Sequence, residues 1–209
     1  MVGAEVIIAC VKHGDKYDAR YVNALARGVA RNLAAPHDFV CFTENPAGLD
    51  PAVTVRDLPP DVFGWWSKLA LFALLRDTPV VFFDLDTIIV GDITPLAEYA
   101  QRPGSFAMLR DFYYPQRLAS GVMAWNGDYA RIYGQWLDDG RPQVRGGDQA
   151  FIESVMKKAD IVQDILPGAI SYKAHRCDKR YPADARVICF HGEPKPHNCG
   201  AEWVRQEWS

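Results

Sequence analysis

Val80-Val81-Phe82-Phe83-Asp84-Leu85-Asp86-Thr87-Ile88-Ile89-Val90 sets two acidic residues, one apart, in a run otherwise apolar enough to be a buried strand. A central parallel strand reads as a continuous hydrophobic run, and a carboxylate taken out of water is costly unless a cation pairs with it. Alternate residues of a strand point to the same side. In an unbroken strand Asp84 and Asp86 therefore face one way and Leu85 the other. Two close, hard oxygen ligands with open positions suit Mg²⁺ or Mn²⁺, and an ion held this way commonly also takes phosphate oxygens from a substrate. The same pair fits a strand end at which both carboxylates meet water or cap the next segment.

With 209 residues, 49% of them hydrophobic and 12% aromatic, the chain can bury one substantial core, so a single domain over residues 1–209 is expected. A formal net charge of -3 argues against a protein whose main task is gripping nucleic acid. The five cysteines (Cys10, Cys41, Cys177, Cys189, Cys199) are odd in number and form no CxxC pair, which fits reduced thiols in a cytoplasmic protein. Met1 leads almost directly into Val6-Ile7-Ile8-Ala9-Cys10-Val11, without a basic leader or long apolar stretch, and reads as the approach to a first strand. No apolar run approaches the length of a membrane span.

Outward from the acidic run, strand-like segments alternate with helical ones, the order of an α/β domain. Tyr21, Leu25 and Val29 sit at helical spacing after the first strand. Phe39–Thr43 and Val53–Leu58 read as strands, Trp66–Leu75 as a helix feeding the acidic run, and Ser105–Leu109, Gly121–Trp125 and Arg186–Phe190 as later strands. Gln149–Lys158 looks helical, with Asp148 as its N-cap after Gly146-Gly147. The tail from Gly192 to Ser209 reads as loop.

Three further segments are chemically compatible with the acidic pair. In Cys189-Phe190-His191-Gly192-Glu193-Pro194-Lys195-Pro196-His197 a strand ends in an imidazole, a metal ligand when neutral. A glycine there permits close backbone approach and a lysine follows on a proline-stiffened turn, although an ordinary surface loop has the same composition. Ala119-Ser120-Gly121-Val122 places small residues before an apolar strand, where a ligand can lie against the backbone or a tight turn can enter the core. Gly146-Gly147-Asp148-Gln149 offers a carboxylate and an amide at a helix start, which simple capping by Asp148 also explains.

Taken together, these residues resemble the GT-A-fold glycosyltransferases of the retaining family 8 group, which includes glycogenin and bacterial lipopolysaccharide galactosyl- and glucosyltransferases. The ordered set is Lys68 in a helix, the D-x-D of Asp84-Leu85-Asp86, the small turn Ser120-Gly121, the pair Asp148-Gln149, and His191 to His197 in place of H-x-G-x-x-K-P-W. The resemblance implies one nucleotide-diphospho-sugar transferase domain with a mixed, mostly parallel sheet flanked by helices. It implies that Asp84, Asp86 and His191 coordinate Mn²⁺ or Mg²⁺ on the diphosphate of a UDP-sugar, with Leu85 on the donor side, and that Lys195, the Gly192 backbone and Lys68 lie near the phosphates. Ala9, Cys10, Val11 and Tyr17 would receive the uridine. Asp111, Asp148 and Gln149 would face the donor sugar, with Ser120 and Gly121 on its other side. The reaction implied is transfer of a hexose to an acceptor hydroxyl, on a glycan or another molecule, with retention of configuration.

Ser120 stands where the family has Asn or Asp, His197 where it has Trp, and Lys12-His13-Gly14 lengthens the nucleotide loop. Two other readings remain: a nucleotidyltransferase, for which Cys10-Val11-Lys12-His13-Gly14 is a poor phosphate loop, and a non-catalytic nucleotide-sugar binder. Trp65, Trp66, Tyr113, Tyr114, Trp203 and Trp208 suit sugar stacking, core packing or a homodimer contact alike.

Overall fold

In the computed structural model, which describes residues 5–209, β1 (Val6–Lys12) buries Val6, Ile8 and Cys10 in one layer and Ile7 and Ala9 in the opposite one. Burial on both faces is what a near-continuous apolar strand specifies. After β1 comes α1 (Ala19–Asn32), whose N-cap Asp18 accepts from the Arg20 backbone N–H at 3.0 Å and whose Tyr21, Leu25 and Val29 are buried. The chain continues through β2 (His37–Thr43), β3 (Thr54–Arg56), a 3-10 helix (Gly64–Ala70), α2 (Leu71–Leu74), β4 (Val80–Phe83), β5 (Thr87–Ile89) and α3 (Thr94–Ala100). Then follow β6 (Ser105–Arg110), β7 (Leu118–Asn126), α4 (Arg131–Asp138), α5 (Gly147–Met156), β8 (Asp160–Ile161), α6 (Val162–Ile165), β9 (Ala169–Ser171), β10 (Val187–Cys189) and α7 (Glu202–Trp208).

A seven-stranded sheet has the order β3-β2-β1-β4-β7-β6-β8. It is mixed and mostly parallel: β3, β2, β1 and β4 run together, β7 is antiparallel to β4 and β6, and β8 is parallel to β6. One face carries α1 and α3, the other the 3-10 helix, α2, α4 and α5. A second, three-stranded sheet, β5-β10-β9, packs one face on a cluster around Tyr172, Phe190 and Val204, and with the other joins the core layer under α1 through Ile89, Ala169, Val187 and Cys189. All five cysteines are free and buried.

The acidic run does not remain one strand. β4 ends at Phe83, and Thr87–Ile89 already pairs with β10 in the small sheet. The Asp84 N–H donates to Gly121 O in the large sheet at 2.8 Å, whereas Asp86 O accepts from the Phe190 N–H of the small-sheet side at 2.9 Å. Strand alternation therefore does not govern the two side chains; different sheets anchor them on either side of buried Leu85.

Other boundaries shift for local reasons. The first half of the helix expected at Trp66–Leu75 is 3-10, and only Leu71–Leu74 is α-helical. Asp148 is not an N-cap: Gly146, at φ +96°, starts α5 without a side-chain cap, which places Asp148 in the first turn and buries it. The tail contains α7, so it is not all loop. The reading of the leader falls partly on residues 1–4, outside the described residues. No described helix is long and apolar enough to cross a membrane.

Candidate active site

The carboxyl ends of β1 and β4 open into a cleft of about 580 Å³, the edge at which open α/β sheets receive ligands. Lys68, delivered by the 3-10 helix and 5% exposed, donates to Asp84 Oδ1 at 2.7 Å and to Ser120 Oγ at 3.3 Å, with Asp148 Oδ2 also 3.3 Å away. Ser120 Oγ in turn donates to Asp148 Oδ2 at 2.5 Å. Burial pulls the Lys68 ammonium toward neutrality, but Asp148 and Asp84 outweigh it and raise its pKa. Burial, with the like charges of Asp86 and Asp148, lifts the Asp84 carboxyl above its usual range against the opposing pull of Lys68.

The small sheet supplies the other half. Lys195 pairs with Asp86 Oδ2, which also accepts from Tyr17 Oη at 2.9 Å. Burial and then the Asp86 charge raise the Tyr17 pKa, so its hydroxyl remains a donor. Tyr17 packs on Tyr21, with ring centroids 4.6 Å apart, and Tyr21 Oη bonds to His197 Nδ1. His197 thus ties the C-terminal segment to α1. His191 Nε2 lies 2.6 Å from Ser171 Oγ, with Phe112 stacked on the ring and Tyr113 edge-on to it. Burial, and after it the Lys173 charge, hold the imidazole below its ordinary pKa and hence neutral.

Fourteen of the residues expected at the site line this one cleft: Val11, Tyr17, Lys68, Asp84, Leu85, Asp86, Asp111, Ser120, Gly121, Asp148, Gln149, His191, Gly192 and Lys195. Ala9 and Cys10 do not, because β1 turns their side chains into the opposite buried layers. Asp111 Oδ1 is engaged in its own loop, accepting from the Tyr113 and Tyr114 N–H groups at 2.8 and 2.9 Å. At the rim, Trp65 and Tyr113 line the cleft while 60% and 56% exposed. Trp66 instead stacks on Trp136 in the core, and Trp208 packs edge-on against Tyr21. Sequence reasoning missed Ser171 and Lys173, which only the pairing of β9 with β10 brings beside His191. The loop after β1 is not an open phosphate cradle: the Gly14 N–H donates to Glu44 Oε1 at 2.6 Å, and His13 lies 3.1 Å from the same carboxylate.

The donor set fits a divalent cation in its chemistry: two carboxylates and a neutral imidazole share one cleft, and Asp84 carries a charge that burial and its acidic neighbours disfavour. Among the described residues, no three His, Cys, Asp or Glu side chains converge into a ready-made ligand cluster. Lys68 and Lys195 take carboxylate oxygens that such an ion would share.

Glycosyltransferases are among the solved structures that this fold matches. The glycosyltransferase GlyE of Streptococcus pneumoniae TIGR4 matches with a TM-score of 0.69 at 13% identity, over 98% of this chain and 59% of that one. The galactosyltransferase LgtC, in complex with donor and acceptor sugar analogs, matches with a TM-score of 0.67 at 14% identity, over 96% of this chain and 93% of that one. The bifunctional glycosyltransferase WbbM gives 0.65 at 14% identity over 100% of this chain. The chain spans 59% of the length of GlyE and 52% of that of WbbM. No protein-family model matches the sequence, and no curated protein matches it. At these identities the likeness establishes the GT-A fold.

Proposed function

We propose that the chain is a retaining glycosyltransferase of the family 8 kind, moving a hexose from a UDP-sugar to an acceptor hydroxyl with Mn²⁺ or Mg²⁺. The observation that carries this reading is the meeting of Asp84, Asp86, Lys68, Asp148 and Lys195 in one cleft at the carboxyl edge of a GT-A sheet.

Asp84, Asp86 and His191 would hold the ion, which when bound neutralises diphosphate oxygens as a Lewis acid. Val11 and Tyr17 flank the uridine. Lys195 and the Gly192 backbone hold the diphosphate, and Lys68, kept protonated by its carboxylates, meets charge where it builds on the leaving group. Asp148 and Gln149 orient the donor sugar, with Ser120 and Gly121 on its other side; a Cβ on Gly121 would stand 3.5 Å from Asp84 Oδ2 and narrow the cleft. The Asp148 Oδ2 is already engaged by Ser120 and Lys68, which favours orientation over nucleophilic attack. In the front-face route the acceptor oxygen bonds to the anomeric carbon as the bond to the phosphate oxygen breaks. The hydroxyl proton passes to the departing phosphate, and positioning supplies the rate. Exposed Trp65 and Tyr113 at the mouth suit an acceptor that is itself a sugar. A nucleotidyltransferase draws no support from the loop after β1, whose Gly14 amide is taken by Glu44.

The test is UDP release from a panel of UDP-sugars with Mn²⁺ or EDTA, beside an Asp84→Ala/Asp86→Ala variant. Slow Mn²⁺-dependent hydrolysis of one donor, lost in EDTA and in the variant, is expected. Absence of both turnover and calorimetric UDP binding sinks the reading; Mn²⁺-dependent UDP binding without turnover, even with glycan acceptors, leaves a binder in place of an enzyme.

A further inference from the structure

Two of the lysines at the cleft are committed to carboxylates: Lys68 to Asp84 and Asp148, and Lys195 to Asp86. Lys173, two residues beyond β9, is different. Among the described residues its ammonium makes neither an ion pair nor a hydrogen bond, and the half-buried side chain stands behind Gly192, beside the cleft and outside its lining. Its Nζ lies 3.1 Å from the point at which a Cβ on Gly192 would stand. Gly192 lines the cleft and takes φ +65°, in the left-handed region that favours glycine. The missing side chain therefore has a second consequence beside backbone freedom: it leaves room for an ammonium group. The same proximity lets the Lys173 charge, second only to burial, lower the His191 pKa.

The neighbouring basic residues do not share this placement. Arg176, Lys179 and Arg180 are exposed, and Lys179 pairs with Asp178. Lys16 lines the cleft but is exposed, with its ammonium over the Tyr17 ring at 5.1 Å. An ammonium held half out of water beside a neutral imidazole, without a counter-charge, is placed for an anion that arrives.

We propose that Lys173 is a further binding residue for the nucleoside diphosphate, donating a hydrogen bond to its terminal phosphate through the space that Gly192 leaves open. This rests on the donor reading given above. As the bond between the anomeric carbon and the phosphate oxygen breaks, both electrons go to that oxygen; Lys173 stabilises the charge and transfers no proton.

The experiment is calorimetric titration of UDP and of UMP, with Mn²⁺ present, into the wild type, Lys173→Met, Lys173→Arg and the exposed-charge control Arg180→Gln. UMP lacks the terminal phosphate, so the difference between the two ligands isolates the contact. Lys173→Met is expected to weaken UDP roughly tenfold, the size of one charge-assisted contact, to change UMP little, and to be largely rescued by Lys173→Arg. Unchanged UDP affinity in Lys173→Met overturns the proposal, as does an equal loss for UDP and UMP or an equal loss in Arg180→Gln. Thermal melts establish that each variant is folded, and Lys173→Gln replaces Lys173→Met if that one is not. A wild type that binds no UDP removes the donor reading itself, a different result from binding that is indifferent to Lys173.

Discussion

Lys68 has two acidic neighbours and almost no water, so removing it leaves Asp84 and Asp148 without their shared cation. Breaking a buried pair from one side is far more costly than the pair is worth. Lys68→Met should therefore lose about 3 kcal/mol in urea unfolding, and adding Asp148→Asn should restore part of the loss. A second expectation concerns thiols. Burial lifts the pKa of Cys10, helped by neighbouring Cys41, and that of Cys189, helped by Asp86 and Asp84, and all five cysteines are buried. Native protein should react with a thiol reagent only slowly at neutral pH, and all five groups should react at once in denaturant. Residue identities at the cleft were legible because a carboxylate or lysine in an apolar context is conspicuous. The partners of those residues were less so. Asp148 looked like a cap because Asp before a helical run usually is one, and nothing local reveals that two left-handed glycines move the helix start ahead of it. Ser171 and Lys173 were invisible for a different reason: they meet His191 and Gly192 from about twenty residues away, a distance that no periodicity spans.

Elements followed their hydrophobic patterns wherever they are long. On β1, β4 and β7 successive residues fall into alternate layers, and the continuous apolar runs announced strands buried on both faces. Very short elements such as β8 and β9, with two and three residues, carry too few side chains for a pattern. The 3-10 helix is buried through Trp66, Leu69 and Ala70, and Trp66 is its largest anchor. Trp66 is 2% exposed and lies 5.8 Å from Trp136, centroid to centroid and nearly parallel, and two residues later the same helix delivers Lys68. Trp66→Ala should cost about 3–5 kcal/mol through lost burial and the cavity left behind. In an urea titration the midpoint should fall, and in the variant that remains folded UDP affinity should weaken as Lys68 loses its support. An unchanged midpoint would show that the helix is positioned by something other than this stack.

Across the whole molecule, two sheets that share the core layer under α1 are joined where the acidic run passes from β4 to β5. The run looked like one strand because both halves are apolar, and composition does not mark where a backbone exchanges one set of hydrogen-bonding neighbours for another. Gly168 helps to fix the small sheet: it has φ +98°, its carbonyl accepts from the Arg186 and Val187 N–H groups, and a Cβ there would lie 2.5 Å from Asp184 O. Gly168→Ala should destabilise by about 2 kcal/mol from backbone strain alone, with amide exchange rising first in β9 and β10 while β1 and β2 stay protected. Faster exchange spread evenly over both sheets would instead mean that they open as one unit. Asp84 takes its backbone partner from the large sheet and Asp86 takes its own from the small one, so the spacing of their carboxylates is a ruler laid across a seam. Any slippage of one sheet against the other changes the distance between the two carboxylates on which phosphate chemistry would depend.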